Sequence, residues 1–267
     1  SIGEGFVFDW RYSRYRRRRY GSSSKNRPGE QFGGFIQNHD QVANTSRGKR
    51  LSSLVAFRQQ KLAAVLTLCC PFLPLLFMGE EYGETAPFLF FTSFEDPQLV
   101  DAVREGRKQE LGAHYSESDF VDPQAPATFD QCKLEWSKLS ISPHAEVLRL
   151  YRDLISLRKQ HASLGNCRKD LTKIQFDEHV KTLVIERADS SGTGALVVCN
   201  FSPKPQSVPI PNATQVHRLA LWTGDPGYGG SGGQRPAEIL NISPGSQVSL
   251  AGFEGAIYLS QGSTTQR

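Results

Sequence analysis

Beyond about Gly165 the chain changes texture, and that change narrows the folds open to it. Short β-branched runs at 182–186, 196–200, 207–210, 217–221, 247–250 and 256–259 alternate with turn residues. Strands at such spacing, with no helix between them, predict an antiparallel sandwich or barrel. Before that point the pattern is mixed. Leu54, Val55, Leu62, Val65, Leu66 and Cys69 recur at helical spacing, so an amphipathic helix runs from Leu51 and stops before Pro71. Apolar runs flank it at 34–37 and at Leu75-Leu76-Phe77-Met78, the latter continuous as in a strand buried on both faces of a parallel sheet. Strand, helix, strand with a crossover of this size is one βα unit and the next strand.

Other elements follow from local signals. Residues 2–20 read as a helix or helix end that breaks at Gly21-Ser22-Ser23-Ser24. A helix starts at Asp96, an N-cap with Pro97 in the first helical position. The strongest helix starts at Ser142-Pro143 and buries Val147, Leu148, Leu150, Tyr151, Leu154, Ile155 and Leu157. It ends in Arg158-Lys159, suited to the negative end of a helix dipole. The expected class is α/β plus all-β, in two domains, 1–165 and 166–267.

A hydrophobic share of 38% with 22% charged residues is ordinary for a globular protein. The net charge of +4 comes largely from Arg11, Arg14, Arg16, Arg17, Arg18 and Arg19, and the signs nearly balance elsewhere. No nucleic-acid and no membrane partner is expected from it. Five cysteines, Cys69, Cys70, Cys132, Cys167 and Cys199, show no paired spacing, so reduced thiols and a cytoplasmic location are expected. The chain opens at Ser1 without a methionine, so an absent amino terminus could hide a targeting signal.

The chemistry concentrates in Phe35-Ile36-Gln37-Asn38-His39-Asp40-Gln41, an apolar run that stops in four polar side chains. An ionised aspartate beside an imidazole can hold vicinal hydroxyls, and the carboxylate can stabilise positive charge developing on a sugar ring. Capping a strand and satisfying a turn is the plainer alternative. Continued through Val42-Ala43-Asn44, the run resembles the fourth conserved region of the α-amylase superfamily, glycoside hydrolase family 13. Pro74-Leu75-Leu76-Phe77-Met78-Gly79-Glu80-Glu81-Tyr82-Gly83 resembles that family's eighth barrel strand and following loop. The likeness continues through Gly5-Phe6-Val7-Phe8-Asp9, Tyr12-Ser13, Gly48-Lys49-Arg50-Leu51, Pro87-Phe88, Val103-Arg104-Glu105-Gly106-Arg107, Leu134-Glu135-Trp136 and the Leu154 to Arg158 helix. Where the family usually reads Gly-Asn-Arg after the motif, this chain has Ala43-Asn44-Thr45, and Lys49 stands where an acidic residue is common.

The resemblance implies the last two βα units of a (β/α)8 TIM barrel followed by an antiparallel β-sandwich. It implies Asp40 as the transition-state stabiliser and His39 as its partner on the same ring, with Asn38, Gln41, Glu81 and Tyr82 as further substrate-binding residues. The implied substrate is a malto-oligosyl trehalose or other α-1,4-glucan, cut beside the terminal trehalose, with a substrate-making synthase as pathway partner. A branching or debranching enzyme and a non-catalytic glucan-binding module are the alternatives. The nucleophile and general acid lie on strands expected before Ser1, so the chain is expected to be inactive alone. Leu75, Leu76 and Phe77 are then expected to be uncovered and to promote aggregation.

No cofactor and no metal is expected. His114, His144, His161, His179 and His217 are scattered without ligand spacing. Glu80 and Glu81, neighbours on an expected strand, point to opposite faces and cannot flank one bond. The glycine-rich stretch from Thr223 to Gly233 lacks the Gly-Lys-Ser/Thr ending of a phosphate cradle and reads as a flexible connection.

Overall fold

The computed structural model describes residues 2–112, 120–211 and 216–260. His114 lies outside them. Helices are α1 (His39–Ala43), α2 (Leu51–Leu54), α3 (Phe57–Cys69), α4 (Pro97–Gly112), α5 (Pro126–Asp130), α6 (His144–Gln160) and α7 (Ala162–Gly165). Strands are β1 (Asp9–Ser13), β2 (Arg18–Gly21), β3 (Gly33–Gly34), β4 (Leu73–Pro74), β5 (Thr172–Asp177), β6 (Thr182–Ala188), β7 (Gly194–Asn200), β8 (Gln206–Pro209), β9 (Val216–Trp222), β10 (Ile239–Asn241), β11 (Gln247–Leu250) and β12 (Glu254–Ser260). They form two compact units, one of residues 1–34, 61–75 and 149–267, the other of 35–60 and 76–148.

In the first unit an antiparallel sheet runs β10-β9-β12-β7-β6-β5, with β8 and β11 as a separate pair. Both sheets feed one apolar cluster that includes Val184, Val198, Val208, Trp222, Val248 and Tyr258. All six expected β runs are strands. The added β5 and β10 escape sequence reading because they are edge strands, where a polar composition is tolerated. Leu183, Val184 and Ile185 are buried in succession, so β6 is covered on both faces. A side chain at Gly255 of β12 would meet Leu62 Cδ1 at 3.2 Å, so glycine permits the close approach of α3.

The end of α3 is closed by two arginines. Arg158 donates to the carbonyls of Leu68 (2.7 Å), Cys70 (3.0 Å) and Phe72 (2.8 Å). Arg187 donates to the Cys69 carbonyl at 2.7 Å and to Asn166 Oδ1 at 2.9 Å. Together they satisfy carbonyls that a helix cannot satisfy itself. Burial, and then the positive charge of Arg158, lower the Arg187 pKa to about 10.

Several expectations change. Residues 9–21 form a hairpin, with Tyr12 opposite Arg19, rather than a helix. The segment has no apolar stripe of helical period, and contacts such as Arg16 over the Tyr20 ring at 4.1 Å hold the ribbon. The parallel pair exists but is short: Gly33 faces Leu73 and Gly34 faces Pro74. Its bonds are Leu73 N to Phe32 O (3.0 Å) and Leu75 N to Gly34 O (2.9 Å). The stretch from Thr223 to Gly233 is pinned: Lys61 Nζ donates to the Thr223 and Tyr228 carbonyls at 2.7 and 2.9 Å, and Tyr228 Oη donates to Asp153 at 2.7 Å.

In the second unit, the expected helix from Leu51 breaks at Val55-Ala56, where Gln59 Oε1 accepts the Ala56 N–H at 3.0 Å and starts α3 afresh. Asp96 caps α4 as expected, accepting from Gln98 N at 2.9 Å. Phe77 is buried rather than uncovered, with the Phe88 ring 5.1 Å away and the Arg50 guanidinium 4.9 Å from its centroid. Met78 remains exposed, as does Leu75 in the first unit.

Candidate functional site

The polar cluster after β3 does not end a strand. Gln37 is buried and its Oε1 accepts the Leu51 N–H at 3.0 Å, which turns the chain inward. Asn38 then becomes the N-cap of α1, its Oδ1 accepting from Gln41 N at 2.8 Å. Asn38 and Gln41 are thereby tied to each other, with the Gln41 side chain exposed. His39 and Asp40 open the helix, with Nε2 of His39 3.4 Å from Oδ1 of Asp40. Their side chains are 69% and 74% exposed, so both polar ends are open to a ligand. Val42 and Ala43, on the same short helix, are buried and anchor it.

Glu81 and Tyr82 belong to a 3-10 turn, Glu80–Tyr82, between two left-handed glycines, Gly79 (φ 84°) and Gly83 (φ 69°). The expected strand geometry for Glu80 and Glu81 is therefore replaced by a turn, in which Glu80 is buried and Glu81 half-buried. Tyr82 is fully buried: its Oη donates to Glu84 Oε2 at 2.8 Å, and its carbonyl lies 2.8 Å from His144 Nδ1. Burial, reinforced by the bond to Glu84 and that carboxylate's charge, pushes the Tyr82 phenol up. Among the described residues no hydrogen bond or ion pair joins the His39–Asp40 pair to Glu81 or Tyr82.

Three residues that sequence reading did not single out organise this unit. Glu84, buried, accepts from Thr85 N (2.7 Å), Ala86 N (2.8 Å), Glu135 N (2.7 Å) and Lys138 Nζ (2.8 Å), besides Tyr82. Burial raises its pKa, but these donors outweigh it and hold the carboxyl at about 2. Arg50, 1% exposed, donates to the carbonyls of Ala86 and Met78, both at 2.6 Å. Arg107, also buried, donates to the Ala43 carbonyl (2.6 Å) and Asn44 Oδ1 (2.7 Å) at the far end of α1. Arg50 and Arg107 stand within family-like motifs, which was the available signal for them, whereas Glu84 lies just outside one; the burial of all three was not legible.

Chemically, the exposed pair offers a carboxylate and an imidazole side by side, suited to gripping neighbouring hydroxyls of one ring. No family model matches the chain. A malto-oligosyltrehalose trehalohydrolase of Mycobacterium tuberculosis is 35% identical over 213 residues, covering 79% of this chain and 36% of the relative. One from Saccharolobus solfataricus is 42% identical over 202 residues, covering 76% and 32%. A 1,4-alpha-glucan branching enzyme of Vibrio cholerae is 31% identical over 135 residues, covering 48% and 18%. Among solved structures, a putative alpha amylase from Salmonella typhimurium is similar, with a TM-score of 0.76 at 29% identity over 97% of this chain and 40% of that one. The chain thus spans about a third of the length of the curated relatives it matches. Over that span it is similar to the malto-oligosyltrehalose trehalohydrolases, and its solved structural neighbours are α-amylase-family proteins.

Proposed function

We propose that this chain supplies the transition-state-stabilising carboxylate of an enzyme that hydrolyses the α-1,4 bond next to the terminal trehalose of malto-oligosyl trehalose. The carrying observation is the pairing of exposed Asp40 and His39 on the opening turn of α1, a helix held at both ends. Asp40 accepts hydrogen bonds from two ring hydroxyls and faces the charge that develops on the oxocarbenium-like sugar. His39 grips the same ring. Gln41 and Glu81 reach further along the glucan, while Asn38 and Tyr82 hold the helix and turn that carry them.

Such a reaction needs a nucleophile and a general acid about 5 Å apart in a retaining site. These come from other parts of the intact enzyme, and the 267-residue chain alone releases no trehalose. Residues 1–165 belong to the last two βα units of a (β/α)8 barrel and residues 166–267 to an antiparallel β-sandwich. That division follows family architecture rather than compactness, since the sheet-bearing unit also takes 1–34, 61–75 and 149–165. The parallel pairing of β3 with β4 across α1–α3 supports the barrel assignment. A synthase producing malto-oligosyl trehalose precedes it in the pathway. Five cysteines without a disulfide support a cytoplasmic location.

The test is a longer enzyme containing this segment, assayed for trehalose release with and without Asp40→Asn. A loss of roughly 10²–10³-fold in kcat is expected; unchanged release overturns the assignment. The likeness to a branching enzyme favours a second reading, glucan chain transfer. Transferred or linear glucan in place of trehalose among the products would establish it.

A further inference from the structure

We infer that Arg107 is a positioning residue for the sugar-binding helix: its guanidinium sets the orientation of α1 and, through it, of His39 and Asp40. The inference rests on the role proposed for Asp40. A five-residue helix cannot hold itself together in water, because nucleation costs more than so few hydrogen bonds return. External anchors must therefore fix it. At its start, Asn38 and Gln37 act as described. At its end, Arg107 reaches across from α4 and forks, Nη2 to the Ala43 carbonyl at 2.6 Å and Nη1 to Asn44 Oδ1 at 2.7 Å.

The fork is itself fixed. Nη1 also donates to Glu110 Oε2 at 2.9 Å, and the guanidinium sits 5.2 Å from the centroid of Phe90. Only 9% of Arg107 is exposed, so water cannot easily replace these bonds. A planar guanidinium meets two acceptors and a ring face at once, whereas an ammonium is a single point charge. The closing backbone bond of α1, Asn44 N to Asp40 O at 3.1 Å, links that anchored end to Asp40 itself. Releasing Arg107 frees the carbonyl end, and the carboxylate loses its fixed bearing while remaining present.

The test compares Arg107→Ala, Arg107→Lys and Asp40→Asn. In this chain, amide hydrogen exchange across residues 41–45 should rise at least tenfold in Arg107→Ala, with exchange in α3 and α4 unchanged. In the longer enzyme, Arg107→Ala should lower kcat at least tenfold, leave KM within about twofold and recover part of its rate on addition of free guanidinium. Arg107→Lys should fall between it and the parent. Exchange that rises throughout residues 76–148, or a parental kcat despite a loosened α1, overturns the positioning role. Asp40→Asn separates the two claims, because if it leaves kcat intact the catalytic reading fails whatever Arg107 does.

Discussion

Lys138 Nζ donates to Glu84 Oε1 across 2.8 Å, closing residues 135–138 onto a carboxylate that already holds the turn bearing Tyr82. Removing that charge leaves five donors facing an amide or a void. Glu84→Gln should destabilise the fold by roughly 2–4 kcal/mol, measured by urea unfolding. A change below about 0.5 kcal/mol would show that the donors find other partners.

The same carboxylate gives a pH signature. Its folded pKa of about 2 lies below the ordinary glutamate value, so its stabilisation is full above pH 4.5 and is lost as pH falls toward 2. The urea midpoint should therefore drop over that window in the parent and drop less in Glu84→Gln. Parallel pH curves for the two proteins would refute the linkage.

Thiol reactivity should be selective. Burial raises the pKa of Cys69 to about 12 and of Cys70 to about 11, and pushes Cys199 up as well. Cys132 is buried too, whereas Cys167 is half-exposed. At pH 8 a thiol-reactive disulfide reagent should titrate one cysteine, Cys167, quickly and the rest only on unfolding. Peptide mapping that finds Cys69 or Cys70 labelled first would contradict the packing around α3.

Lys61 is 2% exposed and holds the carbonyls of Thr223 and Tyr228. Lys61→Met should cost roughly 2–4 kcal/mol, since both carbonyls lose a charged donor. Amide exchange should quicken in residues 223–230, and equal exchange in mutant and parent would mean the glycine-rich segment is held by its own turns alone.

Asp40→Asn should leave stability within about 0.5 kcal/mol, because the side chain is exposed and its loss uncovers nothing. Thermal unfolding checks this. A large loss would assign Asp40 a structural role and weaken the case for chemistry.

Elements built on repetition were the ones legible in the sequence. The helix at 144–160 announced itself by period, and the β runs of the sheet by alternation and turns. The hairpin at 9–21 did not, because its arginines and tyrosines pair across strands rather than along a buried stripe. The His39–Asp40 pair is visible as a polar ending, but its helix is not, because an asparagine after a short apolar run ends a strand or caps a helix equally well. Arg50, Glu84 and Arg107 stayed hidden for a different reason. A buried ion is indistinguishable from a surface ion until the acceptors that surround it are known, and those lie dozens of residues away.

The two guanidinium groups at the tail of α3 carry a practical corollary. One arrives from α6 and the other from β6, so three separate stretches of polypeptide converge on a single helical terminus. Cutting the gene after Gly165 would not release a self-contained β module. The excised portion would keep Arg187 with Asn166 but without the Cys69 carbonyl, and the remainder would keep α3 with part of its terminus bare. A crossover point for building chimaeras belongs elsewhere, where no such clasp is severed.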